Sequence, residues 1–324
     1  MIRFTRRAFT AALLALGLAS AGTGTTLAAA YPDKPINFVV PYPAGGATDI
    51  VGRLLAQKLS EAWKVPVVVE NKPGAGGTIG NNTVVRAAPD GYTVLVAITA
   101  LVQQIPLMKL PYDPLKDLAP ITRVAVSPSI LAVTKSTPAA NVAELVSLVK
   151  SNPGQYNYGT YGPGTSSHLQ GALFNYQNNL DLAHIPFKGA APLITAFMGD
   201  HVKMAFLDAG SSRPQLPNFK LLGVTGEKRL AWLPDVPTLK EQGQKMFEPM
   251  GWFGIFLPAA TPADIQKKLS DELIRIIKSP EVTKRIEDLG LIPGGDDPEA
   301  FKKILVNDAG IYAEIVKSAN VVID

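Results

Sequence analysis

Apolar residues follow two alternating rhythms along this chain. Short runs of aliphatic and β-branched residues end in Gly- and Pro-rich breaks. After each break, apolar residues return every three or four positions. Residues 36–40 (INFVV) predict a buried strand that ends in the break P-Y-P-A-G-G-A-T. Val51, Leu54, Leu55, Leu59 and Ala62 then share one face of a helix over residues 49–63, with Thr48 or Asp49 as its N-cap. Residues 65–70 predict a second strand, 72–77 a glycine turn, Thr78 the start of a helix, and 92–97 a third strand. A Pro-interrupted apolar run over 121–133 leads into a second unit of the same logic. There, 141–150 predict a helix and 156–158 a short strand. Residues 159–165 form a Gly-rich loop, and Ser166 or Ser167 opens a further helix. Strands are predicted at 185–187, 204–207 and 221–224, with 252–257 as a return strand. Three helices start at Pro262, Pro280 and Pro298, where proline suits a first turn; Ile265, Leu269, Leu273 and Ile276 form the core stripe of the first. This alternation predicts an α/β protein with mostly parallel sheets. No low-complexity linker separates the units, so paired crossing strands are expected to join them.

The first thirty residues break the rhythm. Arg3, Arg6 and Arg7 precede the apolar run 11–21, and Ala28-Ala29-Ala30 offers a small-residue cleavage site. The run is too short for a membrane span, which needs about 20 residues, so residues 1–30 read as an export signal. The stretch T-R-R-A-F-T is similar to a twin-arginine signal; the route is Sec or twin-arginine. The expected location is the periplasm of a Gram-negative cell, with the mature protein soluble and not membrane-embedded. The formal net charge of +4 falls to +1 when the three leader arginines are removed, so no basic footprint for a nucleic-acid partner survives. The absence of cysteine excludes disulfides, thiol catalysis and cysteine-based metal sites.

Two breaks carry candidate chemistry: P-Y-P-A-G-G-A-T-D (residues 41–49) and Y-G-T-Y-G-P-G-T-S-S-H (residues 158–168). Each follows a strand and opens a helix. Helix N-termini present free N–H groups and a partial positive charge, so they hold anions without a cationic side chain. Neither loop contains Lys or Arg, and Thr48, Thr160, Thr165, Ser166 and Ser167 can donate to a carboxylate. Asp49 is either an N-cap or a partner for a ligand ammonium. Asp208, at the end of an apolar strand, is either a loop cap or a cleft residue. Trp252 and Phe253 read as core or as a pocket wall.

Catalysis finds little to build on. Ser167 and His168 are chain neighbours, which rarely point at each other, and the segment is not a G-x-S-x-G elbow. His168, His184 and His201 lack metal-ligand spacing, and His168 suits a structural role capping its loop. The cluster over residues 74–80 misses the dinucleotide fingerprint by one position. No cofactor and no metal are expected, and the chain does not read as an enzyme. An α/β hydrolase or lyase is the rival from another class.

In these loops and in several short motifs the chain resembles the Bug (TctC-like) family of periplasmic solute-binding receptors for tripartite tricarboxylate transport. The carrying segments are Y-P-D-K-P-I (31–36), P-A-G-G-A-T-D (43–49), V-E-N-K-P-G-A-G-G (69–77), A-P-D-G-Y-T (88–93), S-S-H-L (166–169) and L-P-D-V-P-T (233–238). The resemblance implies a two-lobed periplasmic-binding-protein fold of the Venus flytrap, type II-like kind with two crossing hinge strands. Residues 31–128 plus 253–324 would form lobe 1 and residues 129–252 lobe 2. It implies capture of a small organic carboxylate and delivery to the membrane permease subunits of a tripartite tricarboxylate transporter. It carries over Ala44, Gly45, Gly46 and Asp49 from the first loop and Gly164, Thr165 and Ser166 from the second. Tyr42, Thr48, Thr99, Thr160, Ser167 and Asp208 complete the candidate set. The apolar stretch Ala97-Ile98-Thr99-Ala100-Leu101 and Pro163, which lacks an N–H donor, favour a mono- or dicarboxylate with an apolar or aromatic body over a citrate-like ligand. The receptor is expected to be a monomer. A sensor that reports its ligand to a membrane signalling partner is the alternative.

Overall fold

In the computed structural model, which describes residues 31–248 and 250–323, the first apolar run is strand β1 (Ile36–Val40). The predicted export signal lies outside the described residues. Helix α1 (Ala47–Trp63) follows, then β2 (Val67–Asn71), a 3-10 turn (Ala75–Gly77), α2 (Thr78–Val85), β3 (Thr93–Ile98) and the short α3 (Ala100–Gln103). The apolar run at 121–133 is two strands, β4 (Leu118–Ser127) and β5 (Ser129–Val133), divided at Pro128. The second unit continues with α4 (Val142–Ser151), β6 (Asn157–Thr160), α5 (Ser166–Gln177), β7 (Ala183–Pro186) and α6 (Ala190–Met198). It ends with β8 (Met204–Asp208), the one-turn α7 (Ala209–Ser212) and β9 (Lys220–Val224). The chain returns along β10 (Gly251–Pro258) and closes with α8 (Ala263–Ile277), α9 (Pro280–Asp288), β11 (Ile292–Pro293) and α10 (Pro298–Ser318).

The strands form two sheets, one per lobe. The first has the order β11-β4-β10-β3-β1-β2 and the second β7-β6-β8-β5-β9. Both are mixed, which corrects the expectation of mostly parallel sheets. β1 pairs in parallel with β2 and β3, but β10 runs antiparallel to both β3 and β4. In the second sheet β6 is parallel to β7 and β8, while β5 is antiparallel to β8 and β9. The cause is the crossing. Strands linked by their own helices must run parallel, whereas a strand arriving from the other lobe enters at the opposite end.

Period-two alternation sets which side chains each face buries. On β3, Val94 and Val96 pack with Val51, Leu55 and Leu59 of α1 and with Leu269 and Leu273 of α8. Leu95 and Ala97 point the other way, into the group that holds Val84 of α2 and Phe301 and Leu305 of α10. In the second sheet Ala205 and Leu207 meet Leu193 and Phe197 of α6. Met204 and Phe206 turn to the face covered by α4 and α5, through Leu145 and Leu173. Both sheets are thus covered on both faces, and their strand ends meet where the chain crosses at Pro128.

Candidate functional site

The two glycine loops are geometric twins. Gly46 is the N-cap of α1 with φ −76° and ψ 165°, and Thr165 is the N-cap of α5 with φ −77° and ψ 163°. The predicted N-cap at Thr48 or Asp49 is therefore corrected by two or three residues. Each N-cap is preceded by a glycine in the left-handed region, Gly45 at φ +82° and Gly164 at φ +71°. There a side chain would be strained. In each loop the third helical residue reaches back to that glycine. Gly45 N–H donates to Asp49 Oδ2 at 2.9 Å, and Gly164 N–H donates to His168 Nδ1 at 3.1 Å. This is a capping box shifted by one residue.

The consequence is a pair of helix starts with their first N–H groups left over. No side chain caps α1, α5 or α6, the last starting at Gly189. The Thr165 hydroxyl, which could cap α5, donates to Gly162 O at 2.7 Å instead. Elsewhere Asn141, Ser279 and Asp297 each cap their own helix (α4, α9, α10) through a side-chain acceptor, while α2 and α8 start uncapped at Gly77 and Pro262.

These three helix starts open onto one cavity of about 270 Å³ between the two sheets. Ala47 and Thr48 of α1, Thr165, Ser166 and Ser167 of α5, and Ala190 of α6 line it. Ile98, Thr99, Ala100 and Gln103 come from the end of β3 and from α3. The crossing strands contribute Ser127, Ser129, Gly251, Trp252 and Phe253, and the end of β8 contributes Asp208, with Tyr161 and Ser211 beside it. Neither Lys nor Arg is among the lining residues. Of the sequence-derived candidates, Thr48, Thr99, Thr165, Ser166, Ser167 and Asp208 are brought together here.

The remaining candidates lie outside this lining. Asp49 is buried, and its carboxylate accepts from Gly45 N–H, Arg53 and Asn71. Burial pushes its pKa up, but these bonds outweigh that and leave it below the ordinary value. It is a loop anchor, neither an N-cap nor an open partner for an ammonium. Thr160 is fully buried: its Oγ1 sits 2.8 Å from His184 Nε2 and accepts from Gly162 N–H. Tyr42 packs under the 3-10 turn, where a Cβ on Gly77 would stand 2.9 Å from its hydroxyl. Burial pushes that phenol far up. Gly45 and Gly164 have no N–H to offer a ligand, since their own helices take it. Ala44 and Gly46 stand exposed on the first loop, outside the cavity lining.

Around Asp208 the polar groups are tightly organised. Its carboxylate accepts from Ser211 N–H at 2.9 Å, capping α7, and from the Ser127 hydroxyl. Its own N–H donates to Tyr161 Oη at 2.7 Å. Burial first, and the Asp208 charge second, push the Tyr161 phenol up to about 12. Below the second loop His168 stacks on His184 with ring centroids 4.1 Å apart. Burial, and then His184, push His168 down to about 4, so its imidazole is neutral and Nδ1 is free to accept from Gly164. Trp252 Nε1 donates to Asp308 Oδ2 at 3.1 Å, and burial pushes that acid up to about 6.

Sequence reasoning missed Gln103, Ser127, Ser129, Tyr161, Ala190 and Ser211. The serines flanking Pro128 mark the crossing, and this is the one local signal among them. Ser167 and His168 engage separate partners: Ser167 Oγ accepts from Tyr161 N–H at 3.0 Å, while His168 Nδ1 faces Gly164. The arrangement is built to hold an anion through oriented dipoles and hydroxyls, against an apolar wall of Ile98, Trp252 and Phe253.

Known proteins share this plan. The chain is 32% identical over 307 residues to the UPF0065 protein in the tcbD-tcbE intergenic region of Pseudomonas sp. (strain P51), covering 94% of this chain and 91% of that one. It superposes on R. palustris Rpa4515, solved with adipate, with a TM-score of 0.79 at 29% identity, covering 90% of this chain and 99% of that one. MatC (Rpa3494) from Rhodopseudomonas palustris, solved with bound malate, gives a TM-score of 0.74 at 29% identity, covering 88% and 100%. Residues 51–321 match the model of the tripartite tricarboxylate transporter family receptor, and the chain belongs to that family.

Proposed function

We propose that this receptor captures a small organic carboxylate in the interlobe cavity and hands it, unaltered, to membrane permease subunits of a tripartite tricarboxylate transporter. The observation that carries this reading is the convergence of twin uncapped helix starts from both lobes on one cavity without a cationic side chain. Residues 31–128 plus 253–324 make lobe 1 and 129–252 lobe 2, with the pivot at Pro128 and the start of β10. The protein works in the periplasm as a monomer, exported by the signal at residues 1–30. The ligand contacts are Thr48, Thr99, Thr165, Ser166, Ser167 and the N–H groups of the first turns. The apolar wall favours a mono- or dicarboxylate with an apolar or aromatic body.

The energetics are adequate. Charge-assisted hydrogen bonds contribute roughly 1.5–3 kcal/mol each, and micromolar binding needs about 8 kcal/mol. Four to six such bonds reach that after ordering costs are deducted. Titration calorimetry against malate, adipate, citrate and benzoate tests the reading. Submicromolar to micromolar binding of at least one acid, without turnover of the acid over hours, is expected. Binding of none overturns it.

A further inference from the structure

We infer that Gln103 is a positioning residue that aims the Ser166 hydroxyl at the ligand and ties ligand capture to lobe closure. This rests on the carboxylate-receptor reading above. Gln103 ends α3 in lobe 1, lines the cavity, and is 1% exposed. Its Nε2 donates to Ser166 Oγ at 2.8 Å across the cavity, joining residues 63 positions apart in the chain. On its own side the same side chain hydrogen-bonds the buried Tyr312 of α10, an interaction that lowers a phenol pKa that burial otherwise raises. One amide group is thus anchored in lobe 1 and reaches into lobe 2.

The polarity follows from the donor inventory. A serine hydroxyl has one O–H to donate and lone pairs to accept. With its oxygen taken by Gln103, the Ser166 proton is left to point elsewhere. Ser166 is the first residue of α5, whose N–H groups face the cavity. The neighbouring hydroxyls are committed otherwise: Thr165 donates to Gly162 O, and Ser167, which accepts from Tyr161 N–H, has Thr165 Oγ1 at 3.1 Å to take its own proton. The sequence amide to hydroxyl to carboxylate is a donor chain in which each bond polarises the next. It exists only when α3 and α5 are close, so a ligand that accepts the Ser166 proton also favours the closed arrangement.

A two-residue cycle with a third variant tests this. Kd, kon and koff are measured for malate and adipate with the wild type, Q103A, S166A, the double variant and Q103E. Each single alanine is expected to raise Kd about tenfold, mostly through koff. The double variant stays near tenfold rather than one hundredfold, because the second change removes a bond already lost. Q103E is expected to bind worse than Q103A although it keeps the side-chain volume. A carboxylate only accepts, so it draws the Ser166 proton away from the ligand. The new carboxylate also repels the anionic ligand, so the non-additivity of the two alanine changes is what separates positioning from a merely structural role. Additive alanine effects, an unchanged Q103A, or Q103E binding better than Q103A overturn the assignment. If the wild type binds but S166A changes nothing, the assignment falls while the receptor reading stands. If the wild type binds neither acid nor any other of the panel, both fall.

Discussion

Acidification should loosen this protein through its stacked imidazoles, His184 being held below its ordinary pKa by burial and His168 further still. His168 is buried, stacked on His184, and held neutral with a pKa of about 4, against about 6.5 in an unfolded chain. Between these two values the unfolded chain binds a proton that the native state refuses. Stability therefore rises with pH across the window and falls as pH drops through it. Each pH unit corresponds to about 1.4 kcal/mol, so at pH 5 about 2 kcal/mol of this contribution is gone. Asp308 acts in the opposite sense. Its pKa of about 6 is raised, so the native state holds the extra proton, and stability from this group falls as pH rises toward 6. The two slopes oppose each other, and the wild-type curve alone decides nothing. The decisive comparison is with His168→Asn, whose amide oxygen can accept from Gly164 N–H without titrating. Urea unfolding of both proteins at pH 7.5, 6 and 5 gives the difference curve. The variant is expected to gain about 2 kcal/mol relative to the wild type between pH 7.5 and pH 5. Parallel curves would refute the claim that His168 is held neutral by its burial beneath the second loop.

The other predictions concern neighbouring groups. Asp308→Asn keeps an acceptor for Trp252 Nε1 and removes the burial of a charge; at pH 7.5 it should raise stability by about 2 kcal/mol, and an unchanged urea midpoint would count against the raised pKa. Gly46→Val should fold normally, since φ is −76° and a Cβ there would meet only Pro43 O at 3.5 Å. It crowds the start of α1, and carboxylate affinity should fall at least tenfold by calorimetry with the melting temperature within a few degrees. Gly45→Val, at φ +82°, should lower the melting temperature as well, by the equivalent of about 1–2 kcal/mol.

Much of the fold was legible because it is local. Residues 36–40 and 93–98 are β-branched runs buried on both faces, and the stripe of Leu269, Leu273 and Ile276 points one way. Helix α6 escaped notice: Pro192 and the β-branched Ile194 and Thr195 obscure its period, and tertiary packing of Leu193 and Phe197 decides it. The mixed sheets were not legible, because strand direction depends on which lobe a strand arrives from. The two loops were found by composition, but their twinning lies in a register: Gly45 to Asp49 against Gly164 to His168, each with an acceptor four residues on. That register also shows why two glycines taken for ligand donors are spent internally. Gln103 carried no signal, since its partner is 63 residues away and no periodicity links them.

The strand order also dictates when each half can be finished during synthesis. All five strands of the second sheet lie between residues 129 and 224, a continuous stretch. The first sheet is built around β10, which slots between β3 and β4 although it comes about 150 residues after the one and about 120 after the other. Until residue 258 is available, β3 and β4 each present a bare hydrogen-bonding edge to solvent, the kind of edge that invites pairing with another chain. A nascent or truncated form ending before β10 thus carries a sheet split down its middle, and the carboxyl-terminal third is what makes the amino-terminal third safe.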